Sequence, residues 1–295
     1  MALTYALVTP ARDEAENLAR LASCVKEQTV QPAAWVVVDD GSTDGTLELA
    51  QQLAAELPWL RALSSPGAQT KDGPIEGGRR AGRDIVAFTS GVAELDAGVD
   101  VVVKLDADVS FGRDFFAQLL AEFDRDPRLG IASGTCWERR GGEWRPYHVT
   151  GGHVRGATRA YRRQCLRDVG PLEELIGWDV VDEVRARLAG WHTRSLPELA
   201  FYHHRSLGER DGARRQWHAQ GVMAHYLGYR VSYVVLRALW RARREPAAFA
   251  MIPAFLAAKR RGEPRHPDGA VRSYMRQRQA LRSLPLRLRE ARGRG

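Results

Sequence analysis

The sequence predicts an α/β domain built on a central, mostly parallel β-sheet, followed by a basic helical extension. Over the first 130 residues, short apolar runs alternate with segments whose apolar residues recur every three or four positions. The apolar runs are nearly continuous, as is typical of parallel strands that are covered on both faces. Beyond residue 205 the pattern changes to arginine-rich helices with apolar faces.

The first strand is predicted at 3–8, and the helix at 14–27 follows because its apolar residues fall on one face. The same alternation predicts further strands and helices at 35–38, 43–55, 101–105 and 115–123. After residue 130 the pattern is looser, and it predicts a strand at 154–161 and a short helix at 180–189. In sheets of this class ligands bind outside the carboxyl ends of the strands, so residues that directly follow a strand are the first site candidates.

Composition narrows the class of protein. The 295 residues are 44% hydrophobic and 27% charged, which excludes a disordered, collagen-like or coiled-coil protein. The longest runs without a charged residue, 216–229 and 246–258, have 14 and 13 residues. A bilayer-spanning helix needs about 20, so we expect none. Three widely spaced cysteines and the lack of a secretory pattern predict a reducing compartment and a cytoplasmic location.

Acidic residues follow three of the predicted strands, at 10–14 (PARDE), 39–45 (DDGSTDG) and 106–108 (DAD). Turns and helix caps are an equally good explanation of the second group. The third group is different, because two carboxylates separated by one residue repel each other unless a cation lies between them. Mg²⁺ and Mn²⁺ prefer oxygen ligands and keep positions open for substrate phosphates. Together the three groups predict a divalent-metal site that receives a diphosphate.

Three segments resemble the motifs of inverting family 2 glycosyltransferases, which have the GT-A fold: 9–14 (TPARDE), 36–44 (VVVDDGSTD) and 105–108 (LDAD). The resemblance spans about 3–205. It implies transfer of a sugar, with inversion, from a UDP- or GDP-linked donor to a hydroxyl group. The expected acceptor is a lipid-linked saccharide or a polysaccharide precursor.

The resemblance also implies a division of the chain. The catalytic domain would be 1–205, with a nucleotide-sugar half at about 1–110 and an acceptor half at about 111–205. The basic, amphipathic helical region would be 206–295.

Site residues follow from the same resemblance. Those expected to bind the nucleotide sugar are Pro10, Arg12, Glu14, Asp39, Asp40, Asp106 and Arg205. The expected ligands of Mn²⁺ or Mg²⁺ are Asp106, Asp108 and His203, the last from a His-X-Arg segment at 203–205. An imidazole ligand would favour Mn²⁺. Asp13 departs from the family, which commonly has Asn there.

An inverting transferase needs a base that takes the proton of the acceptor hydroxyl. The segment 177–183 (GWDVVDE) resembles the acidic segment that precedes the family's acceptor-side helix. Asp179 stands in the position of the base, although Trp178 replaces the usual Glu. Asp182 and Glu183 remain alternatives, and a helix cap is the structural explanation for Asp179 or Asp182.

Charge is divided unevenly along the chain. Residues 1–200 hold 23 basic and 30 acidic residues, whereas residues 201–295 hold 21 and 6. The basic C-terminal region is therefore expected to face an anionic partner, such as nucleic acid, a phospholipid surface or a phosphate-bearing substrate. The alternative is a solvated arginine-rich face. Within 230–244 the arginines at 230, 237, 241 and 244 form one stripe, and apolar residues occupy most of the remaining circumference. This pattern predicts either a peripheral helix at the inner face of the plasma membrane, involving 230–261, or packing against the catalytic domain or a second subunit.

Parts of the sequence also resemble proteins of two other functions. The segment 105–110 (LDADVS) resembles the nucleophile motif of haloacid-dehalogenase-like phosphatases, but that motif comes first in their chains, and here the acidic pair at 39–40 precedes it. A nucleic-acid-binding protein could use the basic tail, but the sequence has no helix-turn-helix, zinc-finger or RRM pattern. We therefore expect no specific nucleic-acid partner.

Overall fold

The computed structural model describes residues 3–66, 82–147, 153–175, 177–205, 212–243, 245–280 and 283. The strands in these ranges are β1 (Tyr5–Ala11), β2 (Ala34–Asp39), β3 (Leu60–Ser64), β4 (Val101–Leu105), β5 (Val109–Phe111), β6 (Leu129–Arg140), β7 (Glu143–Pro146), β8 (Thr158–Arg162) and β9 (His192–His203). The helices are α1 (Ala15–Lys26), α2 (Thr46–Glu56), α3 (Arg83–Ala93), α4 (Phe115–Arg125), α5 (Arg163–Asp168), α6 (Trp178–Leu188), α7 (Ala213–Tyr226), α8 (Val231–Ala242), α9 (Met251–Arg260) and α10 (Gly269–Arg278), with a 3₁₀ turn at Pro246–Ala250.

One sheet in the described residues contains the nine strands, in the order β3-β2-β1-β4-β8-β6-β9-β5, with β7 paired to β6 beside this path. The first four strands of this order are parallel, as predicted. The remaining strands make the sheet mixed, because β8 runs antiparallel to β4 and β6, and β5 runs antiparallel to β9. The parallel half carries the acidic strand ends, and the mixed half lies beside them.

The strand register brings the acidic segments to the same edge. Ala11 at the end of β1 pairs with Asp39 at the end of β2, and Val8 pairs with Lys104 near the end of β4. Parallel neighbours end at the same edge of a sheet. The segments that follow β1, β2 and β4 therefore lie close together in space.

Both faces of the parallel strands are buried, which explains their continuous apolar sequences. Tyr5 and Leu7 of β1 pack with α1 and α4 on one face, and Ala6 and Val8 pack with α3 on the other. Each face thus has its own hydrophobic core.

The C-terminal helices pack against α6. Val181 and Val184 of α6 share a third hydrophobic core with side chains of α7 to α10. The approach is close at Gly177, just before α6, where φ is 91° and an added Cβ would lie 2.4 Å from the Met223 sulfur. Within the described ranges, none of the helices is both long enough and apolar enough to cross a bilayer.

Several elements differ from those predicted. The strands β3, β5, β6 and β7 and the helices α3 and α5 were not predicted, and the strand expected at 154–161 is Thr158–Arg162. The sequence of β6 contains two glycines and the buried Ser133, so it lacks the apolar, β-branched signal of a strand. Gly134 is needed there because an added Cβ would lie 2.4 Å from the Leu199 carbonyl oxygen on β9.

Candidate functional site

The residues expected to bind metal lie together at the carboxyl end of β4. Asp106 and Asp108 follow this strand, and the antiparallel pairing of β5 with β9 places His203 opposite Val109. One ligand atom from each of Asp106, Asp108 and His203 lies within 4.8 Å of the others. Two carboxylates and an imidazole form a donor set that suits Mn²⁺, and also Mg²⁺ through the oxygens.

Asp108 is buried among cationic groups. It accepts a hydrogen bond of 3.0 Å from His203 Nε2, and Arg205 Nη1 lies 3.8 Å from its other oxygen. Burial disfavours the carboxylate, but His203 and Arg205 outweigh this effect and lower the pKa of Asp108. Burial likewise disfavours the imidazolium, but Asp108, with smaller contributions from Cys136 and Asp106, outweighs it and raises the pKa of His203 to about 10. The carboxylate is therefore held ionised.

Arg205 links the metal group to the first strand end. Its two terminal nitrogens donate to the two oxygens of Glu14 at 2.5 and 2.8 Å. This is the bidentate geometry in which arginine–carboxylate pairs are strongest. Two residues expected to bind the nucleotide sugar, 191 positions apart in the chain, thereby contact each other.

The acidic pair after β2 has two different environments. Asp40 accepts a hydrogen bond of 2.7 Å from Arg83, and Arg12 lies 3.9 Å from its other oxygen. Asp39 instead accepts from the backbone nitrogens of Gly41 and Ser42, which closes the turn. Of these two carboxylates, only Asp40 is thus paired with side chains. The alternative explanation, a turn, fits the contacts of Asp39.

Asp13, the departure from the family pattern, has a left-handed backbone. Its φ is 52°, in the left-handed region that Asn and Asp tolerate better than most residues. Its carboxylate accepts a hydrogen bond of 2.8 Å from the backbone nitrogen of Thr43. The side chain therefore ties the loop after β1 to the loop after β2. Pro10 lies in β1, directly before this loop.

Lys104 is a site residue that the sequence analysis missed. Its side chain is buried at the end of β4, with Nζ 2.6 Å from Asp106, 3.4 Å from Asp84 and 5.4 Å from the ring centre of Trp178. The signal was a single lysine within the apolar strand Val101–Leu105. A buried lysine needs a paired anion, so its presence there indicates a carboxylate nearby.

Replacing Lys104 by methionine should lower the free energy of unfolding by about 1–3 kcal/mol, because Asp106 and Asp84 would lose their buried cation. Urea unfolding monitored by circular dichroism measures the change. Lys26→Met is the matched control, since Lys26 forms an exposed pair with Glu56 that should contribute less than about 1 kcal/mol. Equal stability of the two variants would contradict the role given to Lys104.

The three candidate bases on α6 differ in burial. Asp179 keeps 25% of its side chain exposed, whereas Glu183 keeps 4% and Asp182 keeps 2%. Both oxygens of Asp182 accept hydrogen bonds from the buried Arg159, at 2.7 and 3.0 Å, and Tyr161 donates to one of them. Of the three carboxylates, Asp179 is therefore the one that an acceptor could approach.

His153 bridges two of these carboxylates. Its Nδ1 lies 2.8 Å from Glu183 and its Nε2 lies 3.2 Å from Asp179. Burial disfavours the imidazolium, but the two carboxylates outweigh this effect and raise the pKa of His153 to about 9. The same contact, together with Arg187, overcomes burial and lowers the pKa of Glu183. A charged imidazole thus fixes the position of Asp179.

The raised pKa of His153 makes stability depend on pH. Its stabilising contribution should be fully present below about pH 6.5, the ordinary histidine pKa, and should be lost as the pH rises through about 9. The wild type should therefore exceed His153→Gln in unfolding free energy at pH 6, and the difference should shrink by pH 9.5. Urea titrations at the two pH values test this. A difference that does not change with pH would contradict the pairing.

A second group of metal-type ligands lies next to the first. Cys136, Glu138 and His203 also bring ligand atoms within 4.8 Å of one another. Arg155, however, lies 3.5 Å from the Cys136 sulfur and 3.3 Å from a Glu138 oxygen. A protein cation already contacts these two groups, so we assign no metal to them.

Comparison with known proteins identifies the family of this chain. The family model described as Glycosyl transferase family 2 matches residues 6–169. The succinoglycan biosynthesis protein ExoA of Rhizobium meliloti (strain 1021) is 30% identical over 117 residues, which are 39% of this chain and 31% of that protein. The match thus spans less than a third of that relative.

Solved structures share the fold at low identity. A mannosyltransferase, PcManGT from Pyrobaculum calidifontis in complex with GDP-Man and Mn²⁺, has a TM-score of 0.57 and 17% identity over 99% of this chain and 85% of its own. GalNAc-T7 with UDP, GalNAc and Mn²⁺ has a TM-score of 0.55 and 16% identity over 75% of this chain and 48% of its own. These similarities confirm the predicted GT-A type of α/β fold. Because the family model covers more than half of the sequence, the chain belongs to glycosyl transferase family 2.

Proposed function

We propose that this glycosyltransferase moves a sugar from a nucleoside-diphosphate donor to a saccharide hydroxyl, with inversion and with a divalent metal ion. The observation that supports it best is the convergence of Asp106, Asp108 and His203 within 4.8 Å, beside the Arg205–Glu14 pair. The donor set fits Mn²⁺ or Mg²⁺. The two structural neighbours were each solved with Mn²⁺ and with GDP-Man or UDP, which supports the same ligand classes here.

The nucleotide sugar would lie at the edge formed by β1, β2 and β4. Pro10, Arg12 and Glu14 border this edge after β1, and Asp39 and Asp40 border it after β2. Asp40 and Glu14 are both buried and both paired with arginine, so their carboxylates are fixed in position. Fixed acceptors of this kind can orient the hydroxyl and N–H groups of a nucleoside.

The negative charge of the diphosphate would be balanced by the metal ion and by Arg205. A bound divalent ion, held by Asp106, Asp108 and His203, would supply electrostatic neutralisation of the leaving diphosphate. Arg205 lies 3.8 Å from Asp108, and its guanidinium can donate a hydrogen bond to a phosphate oxygen. Lys104 keeps Asp106 in place through its 2.6 Å contact. The chain's own cations thus set the positions of the metal-binding carboxylates.

Asp179 is the proposed general base. It would accept the proton of the acceptor hydroxyl while that oxygen bonds to the anomeric carbon and the bond from this carbon to the diphosphate oxygen breaks. Displacement in one step from the opposite face inverts the anomeric carbon. His153 acts as a positioning residue, since its 3.2 Å contact fixes the Asp179 carboxylate. The buried contacts of Asp182 and Glu183 favour structural roles for these two residues.

The acceptor class is proposed from the chemistry of the relative. ExoA is described as a succinoglycan biosynthesis protein. A hydroxyl on a growing polysaccharide precursor, free or attached to a lipid, is therefore the acceptor that we propose. The phosphatase and nucleic-acid-binding alternatives gain no support from the family.

A nucleotide screen tests this proposal. We expect UDP or GDP to raise the melting temperature only when Mn²⁺ or Mg²⁺ is present, because a ligand that binds the native state alone stabilises it. Nucleoside monophosphates serve as the control, since they lack the diphosphate. Release of the diphosphate from the matching nucleotide sugar is the activity assay. Stabilisation by neither diphosphate, with either metal, would overturn the proposal.

A further inference from the structure

The helix α8 exposes an unusual number of apolar side chains. Val231, Leu236, Leu239 and Trp240 are 40%, 44%, 50% and 42% exposed. Over the parts of the chain that the structure describes, eight large apolar side chains are exposed, and six of them lie between residues 231 and 256. The other two of the six are Phe249 and Leu256, in segments that pack against α8. Exposed apolar side chains concentrated in this way mark an interaction surface.

The arginines of α8 face the protein rather than the solvent. Arg237 donates a hydrogen bond of 3.0 Å to Gln220 on α7, and the Arg241 guanidinium lies 5.8 Å from the ring centre of Tyr147. Arg230, just before the helix, donates to the Arg276 carbonyl at 2.9 Å. The predicted stripe is therefore occupied by contacts within the chain, and Arg244 lies outside the described residues. Val234 and Ala238 of the same helix are buried in the third hydrophobic core, whereas Val231, Leu236, Leu239 and Trp240 are left facing outwards.

Other basic residues are exposed on and near this apolar face. Arg243 lies with its guanidinium 4.9 Å from the ring centre of Trp240, and Lys259 and Arg260 are exposed at the end of α9. Between residues 231 and 261 the sequence has seven basic residues and one acidic residue. An apolar centre, a tryptophan and a basic border are the features of a helix that lies in the interface of an anionic bilayer.

We propose that the outward face of α8, comprising Val231, Leu236, Leu239 and Trp240, binds the surface of an anionic phospholipid bilayer. The apolar side chains would enter the boundary between headgroups and acyl chains, and the exposed basic residues would meet lipid phosphates. This inference goes beyond the proposed sugar transfer and does not depend on it.

The proposed membrane face is connected to the acceptor side of the fold. The Tyr147 ring that meets Arg241 also has its centre 4.6 Å from the guanidinium of Arg155, which contacts Cys136 and Glu138. The neighbouring helix α7 contributes Met223, which packs against Gly177 directly before Trp178 and Asp179. A bilayer bound at α8 would therefore hold the region around the proposed base close to the membrane.

Cosedimentation with vesicles tests the proposal on the full chain. We expect wild type to bind vesicles containing about a third phosphatidylglycerol at least tenfold more strongly than pure phosphatidylcholine vesicles. Replacing Leu236, Leu239 and Trp240 together by serine should weaken binding to the anionic vesicles by about tenfold or more. Leu188→Ser is the matched control, because Leu188 is 49% exposed on α6, and it should bind as wild type does.

Two further measurements separate the outcomes. The double variant Lys259→Glu/Arg260→Glu should also weaken binding to anionic vesicles, because it removes charges that meet lipid phosphates. All variants should keep the wild-type melting temperature and nucleotide response, since the changed side chains are exposed. Equal binding of wild type and the triple serine variant would overturn the proposal. So would a wild type that ignores anionic vesicles and forms dimers that the triple variant cannot form.

Discussion

Replacing Asp108 by alanine should abolish sugar transfer, lowering kcat by about a thousandfold or more while the fold is kept. Asp108 is the carboxylate at which the contacts from His203 and Arg205 meet. Its loss would remove a proposed metal ligand and the carboxylate that contacts both His203 and Arg205. Rates of diphosphate release at saturating Mn²⁺ measure the effect. Circular dichroism establishes that the variant is folded.

The control for this variant is Asp124→Ala, because Asp124 is exposed on α4. This control should keep wild-type kcat and wild-type response to Mn²⁺. Asp108→Ala should also fail to show the metal-dependent rise in melting temperature with the diphosphate. Normal activity of a folded Asp108→Ala protein would refute the metal role.

Replacing Asp179 by asparagine should lower kcat by about 10²–10⁴-fold and leave donor affinity within a factor of about three. The carboxamide keeps the shape of the side chain but cannot accept the proton of the acceptor hydroxyl. Asp179 does not take part in the Asp106–Asp108–His203 group, so the diphosphate should bind as before. Single-turnover transfer rates and calorimetric titration with the diphosphate measure the two effects separately.

The neighbouring carboxylates provide the decisive comparison. Asp182→Asn should lower the free energy of unfolding by about 3–5 kcal/mol, because Arg159 would lose its buried anionic partner. At a temperature where Asp182→Asn remains folded, its kcat should stay closer to wild type than that of Asp179→Asn. A larger loss of kcat from Asp182→Asn, with stability unchanged, would move the base to Asp182.

Much of the parallel half of the fold could be predicted because its signals are local. The helices α1 and α4 begin or end within a few residues of their predicted bounds, and Val101–Leu105 is the strand that was predicted. The strand β6 could not be predicted, because its own sequence has no strand pattern. It is stabilised by pairing with β8 and β9, which come later in the chain. Local periodicity carries no information on such distant pairing.

The candidate site likewise contains residues that could be predicted from the sequence and residues that could not. Its acidic residues could be predicted because they directly follow strands, and the fold of a parallel sheet brings strand ends together. The partners of these residues could not be predicted: Arg83 lies 43 positions from Asp40, and His153 lies 26 positions before Asp179 in a segment without a clear pattern. Asp179, Asp182 and Glu183 lie three and four positions apart, so helical periodicity puts them on one face and cannot separate them. Only the packing of Arg159 and Tyr161 shows which of them is enclosed.

The sequence of α8 correctly predicted an amphipathic helix but did not show which of its faces packs against the protein. Its arginine stripe and apolar face were both evident in the sequence, and either face could have been turned inwards. The contact of Arg237 with Gln220 and that of Arg241 with Tyr147 decide the direction. These contacts, together with the burial of Val234 and Ala238, leave Leu236 and Leu239 exposed.

The most direct test of the metal site is a crystal structure of the protein with Mn²⁺ and the nucleoside diphosphate that stabilises it, with anomalous scattering used to locate the manganese. The account predicts one strong anomalous peak bounded by Asp106, Asp108 and His203, with the diphosphate beside it and near Arg205. A diphosphate bound at this edge without manganese, or manganese bound away from these three side chains, would contradict it.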